Sequence, residues 1–204
     1  MSMSEKFLIT DDVALDPVLV YDVFSRISLP PGNFIFSLSD VLDGFVQILP
    51  APILGIYHVL SHSAVHHLGL NPLEYMVECW SNRTLQVGPQ VDYHVDNDED
   101  LRRETGRLRM PAWGAIYQVG PGIAENGGVW FDLPRQKPLQ DARLFASPLF
   151  ADVVSDTGCA VGFRPGRFIL FDGHRPHCVM PFGPLRSPRV TLLLNFWPAG
   201  PAKP

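Results

Sequence analysis

Proline and glycine set the grain of this chain. Twenty prolines and seventeen glycines are spread through 204 residues, and they interrupt most apolar runs before these grow long. A chain punctuated this often favours many short strands joined by turns over long helices. Hydrophobic residues make up 46% of it and charged residues 18%, which is enough apolar surface for a substantial core. One domain is expected over 1–204: a helical support region at 1–73, a strand-rich core at 74–198 and a tail at 199–204.

Charge and cysteine content exclude some functions. The formal net charge of −5 argues against a protein that coats nucleic acid. Cys79, Cys159 and Cys178 form no zinc spacing, and their odd number fits reduced thiols. The first residues carry no apolar signal core, and no apolar run reaches membrane-spanning length. The expectation is a cytoplasmic protein that acts on a small molecule, with neither nucleic acid nor membrane as partner.

One stretch carries chemistry. Tyr93-His94-Val95-Asp96 follows a segment, Thr84 to Asp92, that reads as extended. Residues i and i+2 share a face of a strand, so His94 and Asp96 present an imidazole and a carboxylate side by side. Much later, Gly166 to Gly173 is an apolar strand ended by an Asp-Gly turn, followed by His174, Arg175, Pro176 and His177. Past a Gly/Pro-rich turn, Arg189 to Trp197 reads as a buried strand that opens with a charge. Two histidines and one carboxylate with open positions suit non-haem Fe(II) and dioxygen.

The order of these pieces resembles the Fe(II)/2-oxoglutarate-dependent dioxygenase superfamily: His-x-Asp, then "GRFILFDGHRPHCVMPF", then Arg-x-Thr entering a last apolar strand. Gly127-Gly128 before Val129-Trp130-Phe131 fits the same pattern, and the resemblance spans about Tyr75 to Trp197. It implies a mainly β, cupin-like jelly roll, the double-stranded β-helix, with the N-terminal helices packed outside one sheet. It also implies Fe(II), the cosubstrate 2-oxoglutarate and dioxygen. His94, Asp96 and His177 are the implied metal ligands. His174, in the turn, is the alternative to His177, which begins a strand and is better held.

The same resemblance makes Arg189 the anchor of the cosubstrate's distal carboxylate, with Thr191 two positions on; Arg186 is the competing arginine. Tyr117 is either a further hydrogen-bond donor to the cosubstrate or a core tyrosine with a satisfied hydroxyl. Trp113, Trp130 and Asp132 are candidates for the substrate side. Halogenating members carry Ala or Gly where this chain has Asp96, so hydroxylation is the expected reaction. The expected substrate is a small polar molecule such as an amino acid or a natural-product intermediate. A protein side chain is the alternative substrate. A cupin-like metal dioxygenase without 2-oxoglutarate, or a non-catalytic jelly-roll binding module, are the alternative functions.

The remainder reads more plainly. Phe7 to Thr10 is an expected strand. Asp16-Pro17 caps a helix to about Ile27, with Val18, Val20, Val23 and Phe24 as apolar contacts. Asp40 is a candidate cap of a short helix. Ile53 to Leu68 is a second helix stopped by Gly69. It carries His58, His62 and His66 one turn apart, a solvated stripe unless a metal draws them together. Strands are expected over Tyr75–Asn82, Thr84–Asp96, Trp113–Val119, Gly127–Leu133, Cys159–Phe163, Gly166–Asp172, Cys178–Phe182 and Val190–Trp197. Pro134 to Thr157 reads as a long connection. Asn97 to Pro111 is a charged loop or short helix: as a surface helix it would pair Asp98 with Arg102 and Glu99 with Arg103. As a lid it would close over the metal.

Overall fold

The structure is a computed structural model and describes residues 7–27, 32–84, 91–120, 127–132, 153–155, 158–180 and 189–199. In chain order its elements are β1 (Phe7–Thr10), α1 (Pro17–Arg26), β2 (Phe34–Ser37), α2 (Leu38–Leu42), α3 (Ala51–Leu68), β3 (Tyr75–Thr84), β4 (Val91–His94), α4 (Glu99–Thr105), β5 (Trp113–Val119), β6 (Gly128–Asp132), β7 (Val153–Ser155), β8 (Gly158–Gly162), β9 (Phe168–Asp172), β10 (His177–Met180) and β11 (Arg189–Pro198). The strands form two antiparallel sheets, in the orders β1-β9-β5-β11-β3-β2 and β4-β10-β6-β8-β7. This mainly β arrangement is the double-stranded β-helix.

Strand alternation divides the interior in two. On β5, Trp113, Ala115, Tyr117 and Val119 face a core shared with the helices, together with Phe24 of α1, Val41 of α2, and Ile53, Tyr57 and Leu60 of α3. Ile116, on the other face of β5, joins Val129, Phe131, Cys159, Val161, Ile169 and Phe171 between the sheets. The helices therefore back the larger sheet and leave the space between the sheets for the site. Gly114 is required there: a Cβ at that position would collide with the Phe171 ring.

The local signals act as their chemistry dictates. The Asp16 side chain accepts from Val18 N at 2.8 Å and Pro17 opens α1. Val20 and Phe24 are buried, but Val18 is 68% exposed, so it is not a core contact. Ser37, not Asp40, occupies the N-cap position of α2, and Asp40 lies in its first turn. Gly69 ends α3 in the left-handed region at φ 64°.

The N-terminal third supplies more than helical support, because β1 and β2 form both edges of the larger sheet. The expected strand over Thr84–Asp96 is also revised. Thr84 ends β3, β4 begins at Val91, and Asp96 lies past the end of β4. Of the long connection expected over Pro134–Thr157, β7 is the described part. The rest of that connection, Arg186 and the tail beyond Ala199 lie outside the described residues. Among the described residues, no helix is long and apolar enough to cross a membrane.

Candidate metal centre

β10 lies between β4 and β6. Its first residue, His177, is in register with His94 on one side and Phe131 on the other. This pairing joins residues more than eighty positions apart in the sequence, and the two imidazole centroids stand 4.5 Å apart. Asp96, two residues beyond His94, turns its carboxylate toward both rings. Oδ1 is 3.5 Å from His94 Nε2 and Oδ2 is 4.0 Å from His177 Nε2. One ligand atom from each residue lies within 4.8 Å of the other two, and this is the one such group of three found among the described residues.

The turn before His177 is tightly specified. Asp172 Oδ1 accepts from His174 N at 2.9 Å, Asp172 O accepts from Arg175 N at 2.9 Å, and Pro176 O accepts from Asp132 N at 3.0 Å. A Cβ on Gly173 would collide with the Pro111 carbonyl oxygen, so this turn packs directly against the segment that follows Asp96. His177 Nδ1 donates to Arg175 O at 3.0 Å. That bond assigns the tautomer and leaves the Nε2 lone pair turned inward, as a metal-binding imidazole requires. Phe131 and Phe171 pack on the ring, with centroids 5.6 and 5.0 Å away. Burial pushes the His177 pKa down, against the opposing pull of the Asp96 carboxylate.

Asp96 balances opposing influences. Burial raises its pKa, but the hydrogen bond with His94, the charges of both histidines and a hydrogen bond from Asn195 outweigh burial and leave it below the usual carboxylate value. With its amide nitrogen facing the carboxylate, Asn195 donates to Asp96 Oδ2 at 3.3 Å and to Leu194 O at 3.2 Å. Sequence reasoning missed Asn195. Its signal was the two-residue period of β11, which puts Arg189, Thr191, Leu193 and Asn195 on one face.

The other expected residues separate into those at this face and those away from it. Arg189 is buried on β11, its guanidinium stacked 4.6 Å over the Phe163 ring, and burial pushes its pKa down to about 10. Thr191 shares its face. His174 is not beside His94 and Asp96: its exposed ring meets Asp172 Oδ1 at 3.0 Å. Tyr117 points away, into the helix-backed core, where its hydroxyl donates to Leu15 O at 3.4 Å. The core-tyrosine reading therefore replaces the cosubstrate reading. Trp113 lies in that same core. Trp130 donates through Nε1 to Asp132 at 3.0 Å, and both alternate with Val129 and Phe131, so they face away from the space between the sheets. His58 and His62 stack 5.4 Å apart on α3 without a third ligand among the described residues.

The segment after Asp96 folds over the site. Asp98 caps α4, accepting from Leu101 N at 2.9 Å, so it does not pair with Arg102 as expected. The ion pairs are Glu99–Arg102 at 3.3 Å and Asp100–Arg103 at 3.2 Å, both i,i+3. No residue of α4 is buried. Glu99, Arg102, Leu108 and Met110 line a cleft of about 660 Å³ with His94 and Asp96.

The fold is shared with solved structures. EvdO2 from Micromonospora carbonacea var. aurantiaca aligns over 98% of this chain and 90% of its own at 17% identity, with a TM-score of 0.56. The same protein complexed with 2-oxoglutarate gives 0.54 at the same identity and coverage. A Pseudomonas putida prolyl-4-hydroxylase aligns over 95% of this chain and 86% of its own at 16% identity, with a TM-score of 0.54. Likeness at this identity establishes the fold. No protein-family model matches the chain, and no curated protein sequence matches it.

Proposed function

We propose that this protein is an Fe(II)- and 2-oxoglutarate-dependent oxygenase that hydroxylates a small polar molecule. The observation that carries this reading is the convergence of His94, Asp96 and His177 within 4.8 Å beside the strand face that bears Arg189 and Thr191. Two neutral imidazoles and one carboxylate are the donor set that Fe(II) takes with positions left open, so the residues fit the metal. Likewise the buried guanidinium of Arg189 fits a planar carboxylate.

Bound Fe(II) would let dioxygen oxidise 2-oxoglutarate to succinate and carbon dioxide while a substrate C–H becomes C–OH. The chain's own residues position and shield. Arg175 O and Phe131 hold His177, Asn195 orients Asp96, and Arg189 with Thr191 fixes the tail of the cosubstrate. The phenyl rings of Phe131 and Phe171 keep water from the inner side of the site. In a cupin-like enzyme without the cosubstrate the buried Arg189 and Thr191 pair has no role, and this favours the 2-oxoglutarate reading over that alternative.

The 97–111 segment acts as the lid. Glu99 and Arg102 place opposite charges 3.3 Å apart on the cleft wall. That spacing complements a zwitterion, whose ammonium and carboxylate lie similarly close, with Leu108 and Met110 taking its apolar part. A free amino acid or an amino-acid-like natural-product intermediate is therefore the favoured substrate. A succinate-release screen of amino acids, peptides and natural-product scaffolds tests this. Stimulation by zwitterionic compounds supports the assignment, and stimulation by peptides alone transfers it to a protein side chain.

A further inference from the structure

We infer that Gln118 is a binding residue for the carboxylate tail of the cosubstrate, an inference that rests on the oxygenase reading above. Gln118 is fully buried on β5. It alternates with Tyr117 and Val119, which face the helices, and shares the face of Ile116, which lies between the sheets. Its register partner on β11 is Thr191, two residues from Arg189 on the same face.

Its amide is oriented by an independent contact. Gln118 Oε1 accepts from Arg164 N at 2.7 Å. Because a backbone N–H can only donate, Oε1 and not Nε2 must face it. The neighbouring Phe163 lies under the Arg189 guanidinium, so the Gln118 and Arg189 side chains meet adjacent residues of one segment. The backbone is fixed too: Gln118 N donates to Arg167 O at 2.9 Å and Gln118 O accepts from Gly166 N at 2.8 Å.

What remains is Nε2, a buried donor with no hydrogen-bond partner among the described residues. An orphaned amide donor in a dry interior costs about 1–3 kcal/mol, and native folds rarely leave one without a reason. An anion bound between Arg189, Thr191 and Gln118 removes the orphan. The guanidinium takes a carboxylate in the bidentate manner, the Thr191 hydroxyl adds a second donor, and Nε2 adds a third from the adjacent strand. The site thereby selects a cosubstrate that ends in a carboxylate, the feature that separates 2-oxoglutarate from a simple α-keto acid such as pyruvate.

The test uses full-length protein loaded with Zn(II) in place of iron, so that binding is read without turnover. Isothermal titration with 2-oxoglutarate is compared for wild type, Gln118→Met, Gln118→Glu and Arg189→Met. Gln118→Met removes the donor. Gln118→Glu keeps an oxygen for Arg164 N, and so keeps the turn, while replacing the donor with a charge that repels the ligand. Both are expected to weaken 2-oxoglutarate binding about tenfold or more while leaving the weaker binding of pyruvate unchanged. In wild-type protein, the Gln118 side-chain amide protons should shift and exchange more slowly once 2-oxoglutarate is added. This NMR readout needs no variant to fold. Unchanged 2-oxoglutarate affinity in both Gln118 variants, with binding lost in Arg189→Met, overturns the inference and leaves the proposed function standing. An amide signal that ignores the ligand also overturns it. Failure of the wild type to bind 2-oxoglutarate at all removes both.

Discussion

The two ends of the inner face of β11 are built on opposite principles. At Asn195 the strand meets the His94/Asp96/His177 cluster, which opens to solvent: the His94 side chain is 39% exposed, and no residue of α4 is buried. At Arg189 the strand end is buried: Gln118 is fully buried and Arg189 is 4% exposed. At the open end the charges are solvent-screened and individually weak. The closed end holds one fixed cation in a poorly solvated setting, where each polar contact counts for more. In the proposed function, a site divided this way would exchange its substrate freely while holding its cosubstrate in one pose.

The largest effects are expected at His94 and Asp96. His94→Ala and Asp96→Ala should each abolish metal-dependent turnover, checked by metal content after dialysis, with circular dichroism close to wild type because both residues lie at a partly exposed strand end. At the closed end, Arg189→Ala should weaken 2-oxoglutarate binding by tens- to thousands-fold, the ~2–5 kcal/mol expected when one partner of a desolvated charge pair is removed. Equal metal affinity in that variant would show that the two ends are separable. Asn195→Ala, which removes only the support of Asp96, should lower metal affinity about 10–100-fold, measured by competition with a chelator.

Acid should separate the ends more gently. The folded His177 pKa lies below its ordinary 6.5 because burial disfavours the charged ring. The unfolded chain therefore takes up the proton first, and stability rises with pH. In metal-free protein this contribution is complete above 6.5 and is lost as pH falls toward the lowered folded value. Asp96, held below 3.8, adds a loss of the same sign only in stronger acid. Arg189, at about 10, stays charged throughout. Thermal melting of metal-free protein should thus begin to fall below about pH 6.5, and His177→Phe should remove that early phase.

Much of this was legible in the chain because short-range chemistry writes it there. Asp16-Pro17, Gly69 and the Asp172-Gly173 turn are capping and turn signals whose effect is local, and the structure places each where its chemistry demands. His94 and His177 were legible through the order of the motifs, which fixes strand pairing. What stayed hidden depends on which face of a strand looks inward. Tyr117 and Gln118 are neighbours, and nothing local distinguishes them, yet one donates to Leu15 O beneath a helix and the other faces Thr191 across the sheet. Asn195 was hidden in an apolar strand for the same reason. The i,i+4 spacing permits an Asp98–Arg102 pair if 97–111 is a surface helix, whereas the Asp98 side chain satisfies the helix N-terminus instead.

If one metal bound by His94, Asp96 and His177 meets one cosubstrate anchored by Arg189, anaerobic addition of 2-oxoglutarate to the Fe(II)-loaded protein should produce a weak visible charge-transfer band. The band should saturate with one equivalent of cosubstrate, be absent in Asp96→Ala and need far more 2-oxoglutarate in Arg189→Ala. Folded, iron-loaded wild-type protein that gains no such band would contradict that arrangement.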